Sequence, residues 1–399
     1  MMTDKSQGVP TVDLDLSSRR IEPAGTQWQE IDELREKHRY FKNTHTDPGY
    51  WVLTRHEDIL EAYRDWETFT NASVIAVDPN PSYRMLPSMS DPPVHAHYRK
   101  LVNSWFAPPA VERHRDALRS HARTLIGELA VQGRTDFMAD YADIYPSYAL
   151  MLILGLPLED AAFIRECSHR ISGHSAGSAT DAMKQGRIDF EAYWQGLIDD
   201  RRAYPRDPGA DLVTHLTQAS LGGDVLPDRD MIDLLVTIAH GALDTTKAQL
   251  GWCLYHLAKT PDDRAWLVRD PEIIPSAVEE LLRAYPIISM ARKVSRDTDF
   301  HGCPMKAGDM VLLSTQAAAR DPRSFPDADQ VKLGRSPNRH IAFGASRHRC
   351  LGSHLARAEL IVTLEEWHRL IPDYRIDTDK QLLASAGNIV LQELPLSWL

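Results

Sequence analysis

The chain has 399 residues, 43% hydrophobic and 25% charged, proportions that allow a sizeable core and exclude a wholly disordered protein. A formal net charge of −11 argues against a global attraction to nucleic acid or to an anionic membrane. The four cysteines, Cys167, Cys253, Cys303 and Cys350, lie far apart with no CxxC pair and no zinc-type Cys/His cadence, which argues against a disulfide framework.

A polar leader over residues 1–20, expected to be disordered, precedes what reads as a single domain over 21–399. The leader has no basic region followed by an apolar one, so it does not read as a secretory signal. The longest apolar run, Tyr148 to Leu156, falls short of the ~18–20 residues that span a bilayer. The expectation is a soluble, cytoplasmic protein.

In chain order, Arg39-Tyr40-Phe41 and Tyr50 to Thr54 flank the turn signal Asp47-Pro48-Gly49 and predict a β-hairpin. Apolar residues at three- and four-residue spacing predict helices over 56–64, 94–105, 110–132, 140–154, 159–172 and 181–203. Within 94–105, His95 and Arg99 are four apart and share a side.

The longest predicted helix begins after Leu226-Pro227-Asp228, with Asp228 as its cap, and stops at Pro261. At 1.5 Å per residue it is a rod of about 45 Å, long enough that its middle must be buried. That middle reads His240-Gly241-Ala242-Leu243-Asp244-Thr245-Thr246. Gly241 costs ~1 kcal/mol relative to alanine in a helix interior, and an acid with two β-branched alcohols is a poor choice there. Something other than helix stability selects these residues. Either Asp244 and the threonines face solvent, or they serve a site. At about 100° per residue, Thr245 shares a face with Ile238, Gly241 and Ala242, a small-residue notch beside an alcohol.

A shorter helix between Pro275 and Pro286 carries Glu280 and Arg283 three apart. Short β stretches follow at 310–314 and 388–398, and a turn-rich passage from Phe325 to His340 leads into Ala342 to Gly352, AFGASRHRCLG. Three of the cysteines read as small buried hydrophobes. Cys350 does not, because Arg347, His348 and Arg349 precede it and glycines flank it on both sides.

Taken in this order and at these separations, from about Tyr50 to the C-terminus, these residues resemble a cytochrome P450 of the soluble bacterial type. The resemblance implies a mainly α fold with small β-sheets, in which haem b lies between the long central helix and the cysteine loop. It implies that Cys350 is the axial thiolate of the haem iron, a ligand that pushes electron density onto the metal and favours O–O cleavage. Phe343 would pack on that side, and Gly344 and Gly352 would allow close backbone approach. His95, Arg99, Arg292 and His348 resemble the residues that bind the haem propionates. Glu280, Arg283 and Arg335 resemble the family's structural ion-pair triad, and Asp244 with Thr245 the acid–alcohol pair that relays protons to bound O2. There are two departures: Ser346 stands where the family pattern has glycine, and Ala242 where many relatives have glycine.

The activity so implied is insertion of one oxygen atom from O2 into an apolar small molecule, by hydroxylation or epoxidation. The chain carries no flavin or nicotinamide fingerprint, so electrons would come from a ferredoxin or flavodoxin with its reductase, and from NAD(P)H only indirectly. A basic patch near Arg113, Arg339 and Arg349, with Lys100 and Arg347, would dock that partner. Ile238, His240, Gly241, Ala242, Ile288 and Met290 would line the substrate pocket, with the 72–89 loop and the turn at Ala386 to Ile389. Tyr83 and Arg84 read as core or rim residues. A haem-thiolate peroxygenase and a non-catalytic haem-binding protein are the rival readings.

Overall fold

The computed structural model describes residues 8–172 and 180–398. The first seven residues of the polar leader and the segment after Ser172 lie outside them. Strands Thr11–Val12 (β1), Tyr40–Asn43 (β2), Tyr50–Leu53 (β3), Phe69–Thr70 (β4), Met290–Val294 (β5) and Met310–Leu313 (β6) form one sheet in the order β1-β2-β3-β6-β5-β4. The hairpin β2–β3 is antiparallel, whereas β3 and β6 pair in parallel with Trp51 opposite Val311 and Leu53 opposite Leu313. Two stretches of the described leader join sheets: Thr11 and Val12 lie beside Lys42 and Asn43, and Arg20–Ile21 pairs with Ala384–Ser385.

Helices make up about half of the chain. Those that position the site are Val94–Val102 (α1), Arg115–Ala130 (α2), Tyr145–Leu154 (α3), Ala161–Ile171 (α4), Thr180–Ala203 (α5), Asp228–Lys259 (α6), Ile274–Ala284 (α7) and Ser353–Leu370 (α8). Three predicted helices are subdivided. The 94–105 segment tightens to a 3₁₀ turn at Asn103–Phe106. The 110–132 segment is a short helix at Pro108–Glu112 followed by α2. The 140–154 segment opens with a wide turn at Met138–Ala142, where the Asp143 N–H reaches back to the Met138 carbonyl at 3.0 Å. Apolar periodicity runs through these breaks because each short piece buries the same side of the chain.

The central helix α6 is a rod of about 48 Å at 1.5 Å per residue. It runs through the interior, with its first half in an apolar cluster with α1, α3, α4 and α5 and its second half in a cluster with α2, α7 and α8. Its N-terminus differs from the prediction. Pro227 occupies the cap position, and Asp228 is the first helical residue and makes no side-chain cap bond. The Asp228 carboxylate is instead paired with the Arg202 guanidinium from α5. An acid in the first turn still interacts favourably with the helix dipole. No helix among the described residues is long and apolar enough to cross a membrane.

Candidate active site

The cysteine loop is shaped by its backbone. Gly344 has φ +68° and Ser346 has φ +59°, the left-handed region that glycine enters freely and other residues enter at a cost of ~1 kcal/mol. Ser346 then opens a 3₁₀ turn through His348, and the Cys350 N–H donates to the Phe343 carbonyl at 2.8 Å. Gly352 has φ −81°, so it is not required there for its conformation. What it contributes is its N–H, which points at the Cys350 sulfur. Ser346→Gly is expected to stabilise the protein by less than about 1 kcal/mol, since relief of the positive φ exceeds the extra chain entropy that glycine loses. A higher thermal midpoint with an unchanged spectrum is the expected result, and a lower midpoint contradicts this account of the loop.

Cys350 differs from the other cysteines. Cys167, Cys253 and Cys303 are buried, whereas Cys350 keeps exposed surface although protein atoms crowd round it. Its sulfur thus faces an internal recess. Burial pushes the thiol pKa up, and the Gly352 N–H with the guanidinium groups of Arg99, Arg357 and Arg349 opposes that shift.

Donor groups converge beside this loop. His95 and Arg99 lie on one side of α1, Arg292 in the middle of β5 opposite Val311, and His348 two residues before the cysteine. The His95 and His348 rings are 4.0 Å apart. Burial, helped by the Arg99 charge, pushes His95 down to about 4. Burial together with His95, Arg292 and Arg99 pushes His348 down to about 2. Arg292 is 3% exposed, its NH1 bonds the Ala291 carbonyl, and its guanidinium lies over the Tyr63 ring. Arg99 donates to the Arg349 carbonyl at 3.3 Å. Among the described residues, neither arginine forms an ion pair, Asp91 acts on Arg292 and His95 without pairing with either, and the buried His348 Nε2 has no partner. Two guanidinium groups that push two buried imidazoles down, beside an unpartnered His348 Nε2, are the donor set that an anion from outside the chain would need. Their chemistry fits a haem b, whose propionates would be that anion and whose iron would take the Cys350 sulfur.

On α6, Asp244 is 5% exposed, which removes the solvent-facing alternative, and its carboxylate accepts from the Ser172 hydroxyl at the end of α4. One turn earlier, His240 Nδ1 is 3.1 Å from the Ser168 hydroxyl. Ser168 and Ser172 are four apart on one helix and His240 and Asp244 four apart on the other, so the pairs form two rungs between α4 and α6. Thr245 Oγ1 donates to the Gly241 carbonyl at 2.7 Å, a bond that loosens the helix locally. A Cβ built on Gly241 would meet nothing within 4 Å, so the notch face adjoins open space.

The other expected pocket segments are joined by the backbone. The Ala291 N–H donates to the Val74 carbonyl at 2.9 Å, and the Ile389 N–H to the Ile287 carbonyl at 2.8 Å. These bonds bring the 72–89 loop, the segment with Ile288 and Met290, and the C-terminal turn together. Arg84 is engaged elsewhere, since it pairs with Asp230 and Asp233 on α6 at 2.6 and 2.7 Å. Ile238 is buried in the α6 core, and Ala242 is half-buried beside it.

Glu280 is fully buried and saturated. Arg283 Nε and NH2 each reach it at 2.8 Å, Arg335 Nε bonds both its oxygens at 3.0 Å, and the Lys332 N–H and Asn338 amide donate as well. Arg113, Arg339, Arg347 and Arg349 are all exposed. Sequence reasoning missed Ser168, Ser172, Glu279, His340 and Arg357. The four-residue serine spacing and the Glu279-Glu280 doublet were the available signals.

The comparisons agree with this geometry. A family model described as cytochrome P450 matches residues 271–395. The mycinamicin IV hydroxylase/epoxidase of Micromonospora griseorubida is 33% identical over 359 residues, covering 87% of this chain and 89% of that protein. Cytochrome P450-terp of a Pseudomonas species is 31% identical, covering 79% and 80%. The crystal structure of CYP101J2 superposes with a TM-score of 0.87 at 30% identity over the full length of both chains. This chain belongs to the cytochrome P450 family. It is an oxidoreductase of the monooxygenase class, and the family uses haem iron and O2.

Proposed function

We propose that this protein is a haem-thiolate monooxygenase that inserts one atom of O2 into an apolar, uncharged small molecule with electrons from a separate redox protein. The observation that carries the reading is the Cys350 recess with His95, Arg99, Arg292 and His348 beside it. In this reading Cys350 holds the iron, the four donors hold the propionates, and Phe343, Gly344 and Gly352 shape the loop. Haem b, when bound, supplies the centre at which O2 is reduced and activated.

The chain's own residues do the rest. Asp244 would accept and pass protons, and Thr245 Oγ1, one residue on and on the face of the notch, would hold the next proton beside the haem site. Gly241 and Ala242 leave room beside it. Ile238, Ile288 and Met290 supply apolar walls, which exclude water and favour an apolar ligand. Arg84 is neutralised by its two aspartates, so the loop offers no free charge for an acidic substrate. The Glu280–Arg283–Arg335 triad braces the side of the fold that carries the cysteine.

Arg113, Arg339 and Arg349, with Lys100 and Arg347, give a cationic surface on a chain of net charge −11. The short helix that ends before Arg113 packs on α8, and Arg99 bonds the Arg349 backbone. That surface suits an acidic ferredoxin or flavodoxin, whose reductase draws on NAD(P)H. Protein of this kind works in the cytoplasm.

The relay is tested with Thr245→Ala. With a surrogate ferredoxin and reductase, product formation is expected to fall by about 10²-fold, while electron consumption continues and peroxide accumulates. Unchanged coupling would mean that protons take another route. Product formation by the wild-type protein from peroxide alone, equal to that with the redox pair, would favour a peroxygenase.

A further inference from the structure

A second charge arrangement lies against the cysteine loop, and neither ligation nor propionate binding uses it. Arg357, on α8, donates from Nε and NH2 to the two oxygens of Glu279 at 2.5 and 2.9 Å, and from NH1 to the Ser353 carbonyl at 3.1 Å. This fork fixes the guanidinium plane. Its face rests on Phe343, with the central carbon 4.5 Å from the ring centroid. Phe343 in turn accepts the Cys350 N–H on its carbonyl.

Glu279, in the middle of α7 beside Glu280, is pinned from the other side by His340 Nε2 at 3.0 Å. The Ala342 N–H donates to His340 Nδ1 at 3.2 Å, which fixes the orientation of the ring with Nε2 toward Glu279. Loop residues 340, 342 and 343 thus clasp one rigid ion pair. Burial works to raise the Glu279 carboxyl, but Arg357 and His340 outweigh it and hold the group down at about 2.

Three arginines act on the Cys350 sulfur, Arg99, Arg357 and Arg349. Arg349 is exposed and Arg99 bonds only a backbone carbonyl. Arg357 alone is locked by a bidentate carboxylate and an aromatic face, an arrangement that specifies where its charge sits. A helix brace needs the ion pair but not the stacking on a loop residue.

We propose that Arg357 and Glu279 are positioning residues that set how strongly the Cys350 thiolate donates to the iron, Arg357 as a fixed positive charge and Glu279 as the counter-charge that trims it. The proposal rests on the haem-thiolate reading. A positive charge near the sulfur withdraws electron density and favours the ferrous state, so the two residues act in opposite directions.

The test is the ferric/ferrous midpoint potential of the haem-loaded, full-length protein and three variants, measured by spectroelectrochemistry. Glu279→Gln is expected to raise the potential and Arg357→Gln to lower it. Arg357→Lys, which keeps the charge and loses the fork, is expected to recover most of the lowered value. Shifts of the same sign in both neutralising variants, or no shift in either, overturn the proposal, because simple loosening of the loop moves both alike. If Arg357→Gln does not fold, the upward shift in Glu279→Gln and the near-native value in Arg357→Lys decide the matter. If the wild-type protein shows no thiolate-haem band with carbon monoxide, the parent reading has failed instead, whatever the potentials.

Discussion

Cys350→Ala is expected to abolish the thiolate-haem spectrum and reduce O2-dependent turnover to background. Cys350 presents a sulfur ligand, its backbone N–H held by the Phe343 carbonyl and its sulfur facing the Gly352 N–H and three guanidinium groups. An alanine methyl leaves all of those supports in place and offers no lone pair. Magnetic circular dichroism and the carbon monoxide complex read the ligand directly. Haem retained with an unaltered thiolate signature would remove Cys350 from its assigned role. Protein stability should change little, because the side chain faces a recess and its loss leaves no new cavity in the packed core.

The second large effect concerns stability. Glu280→Ala leaves Arg283 and Arg335 buried at 0% and 7% side-chain exposure without a counter-charge. Removing one partner of a buried pair costs about 3–5 kcal/mol, against a total folding stability of about 5–15 kcal/mol for a typical protein. Arg283 would keep its bonds to the Ala319, Ala328 and Gln330 carbonyls, so the passage from Ala319 to Gln330 stays attached on that side. The carboxylate oxygens that accept from Lys332, Arg335 and Asn338 vanish. Urea unfolding of the variant is expected to show a midpoint lowered by that free energy, with loss of haem before global unfolding. A change below about 1 kcal/mol would mean that the network is solvated in solution and does not brace the loop.

Much of this architecture is readable from local pattern. The 56–64 helix, the central rod and the 50–54 strand follow from periodicity and from punctuating prolines and glycines. Asp228 shows where that kind of reading ends: an acid before a helix suits the cap position, but Arg202 from α5 takes its carboxylate and the chain enters the helix one residue earlier. The strand Thr11–Val12 is invisible locally because two residues carry no alternation, and its stability comes from pairing with Lys42 and Asn43.

The site divides in the same way. Ser346 advertised its positive φ through the glycine it replaces, and the loop has φ +59° there. The rungs from Ser168 and Ser172 to α6 join helices separated by the whole of α5, and spacing on one helix does not name its partner on another. The donor cluster of His95, Arg99, Arg292 and His348 was legible only through family resemblance. What local chemistry does explain is how such buried donors would persist in the fold: the carboxylates of a bound haem b would supply their partners, and its binding energy would offset their burial.

The most direct measurement is the absorption spectrum of the haem-loaded wild-type protein, reduced under carbon monoxide. The account predicts a Soret band at the long wavelength characteristic of thiolate-ligated haem, lost in Cys350→Ala. A band at the position of imidazole-ligated haem, or no stoichiometric haem binding at all, would contradict it.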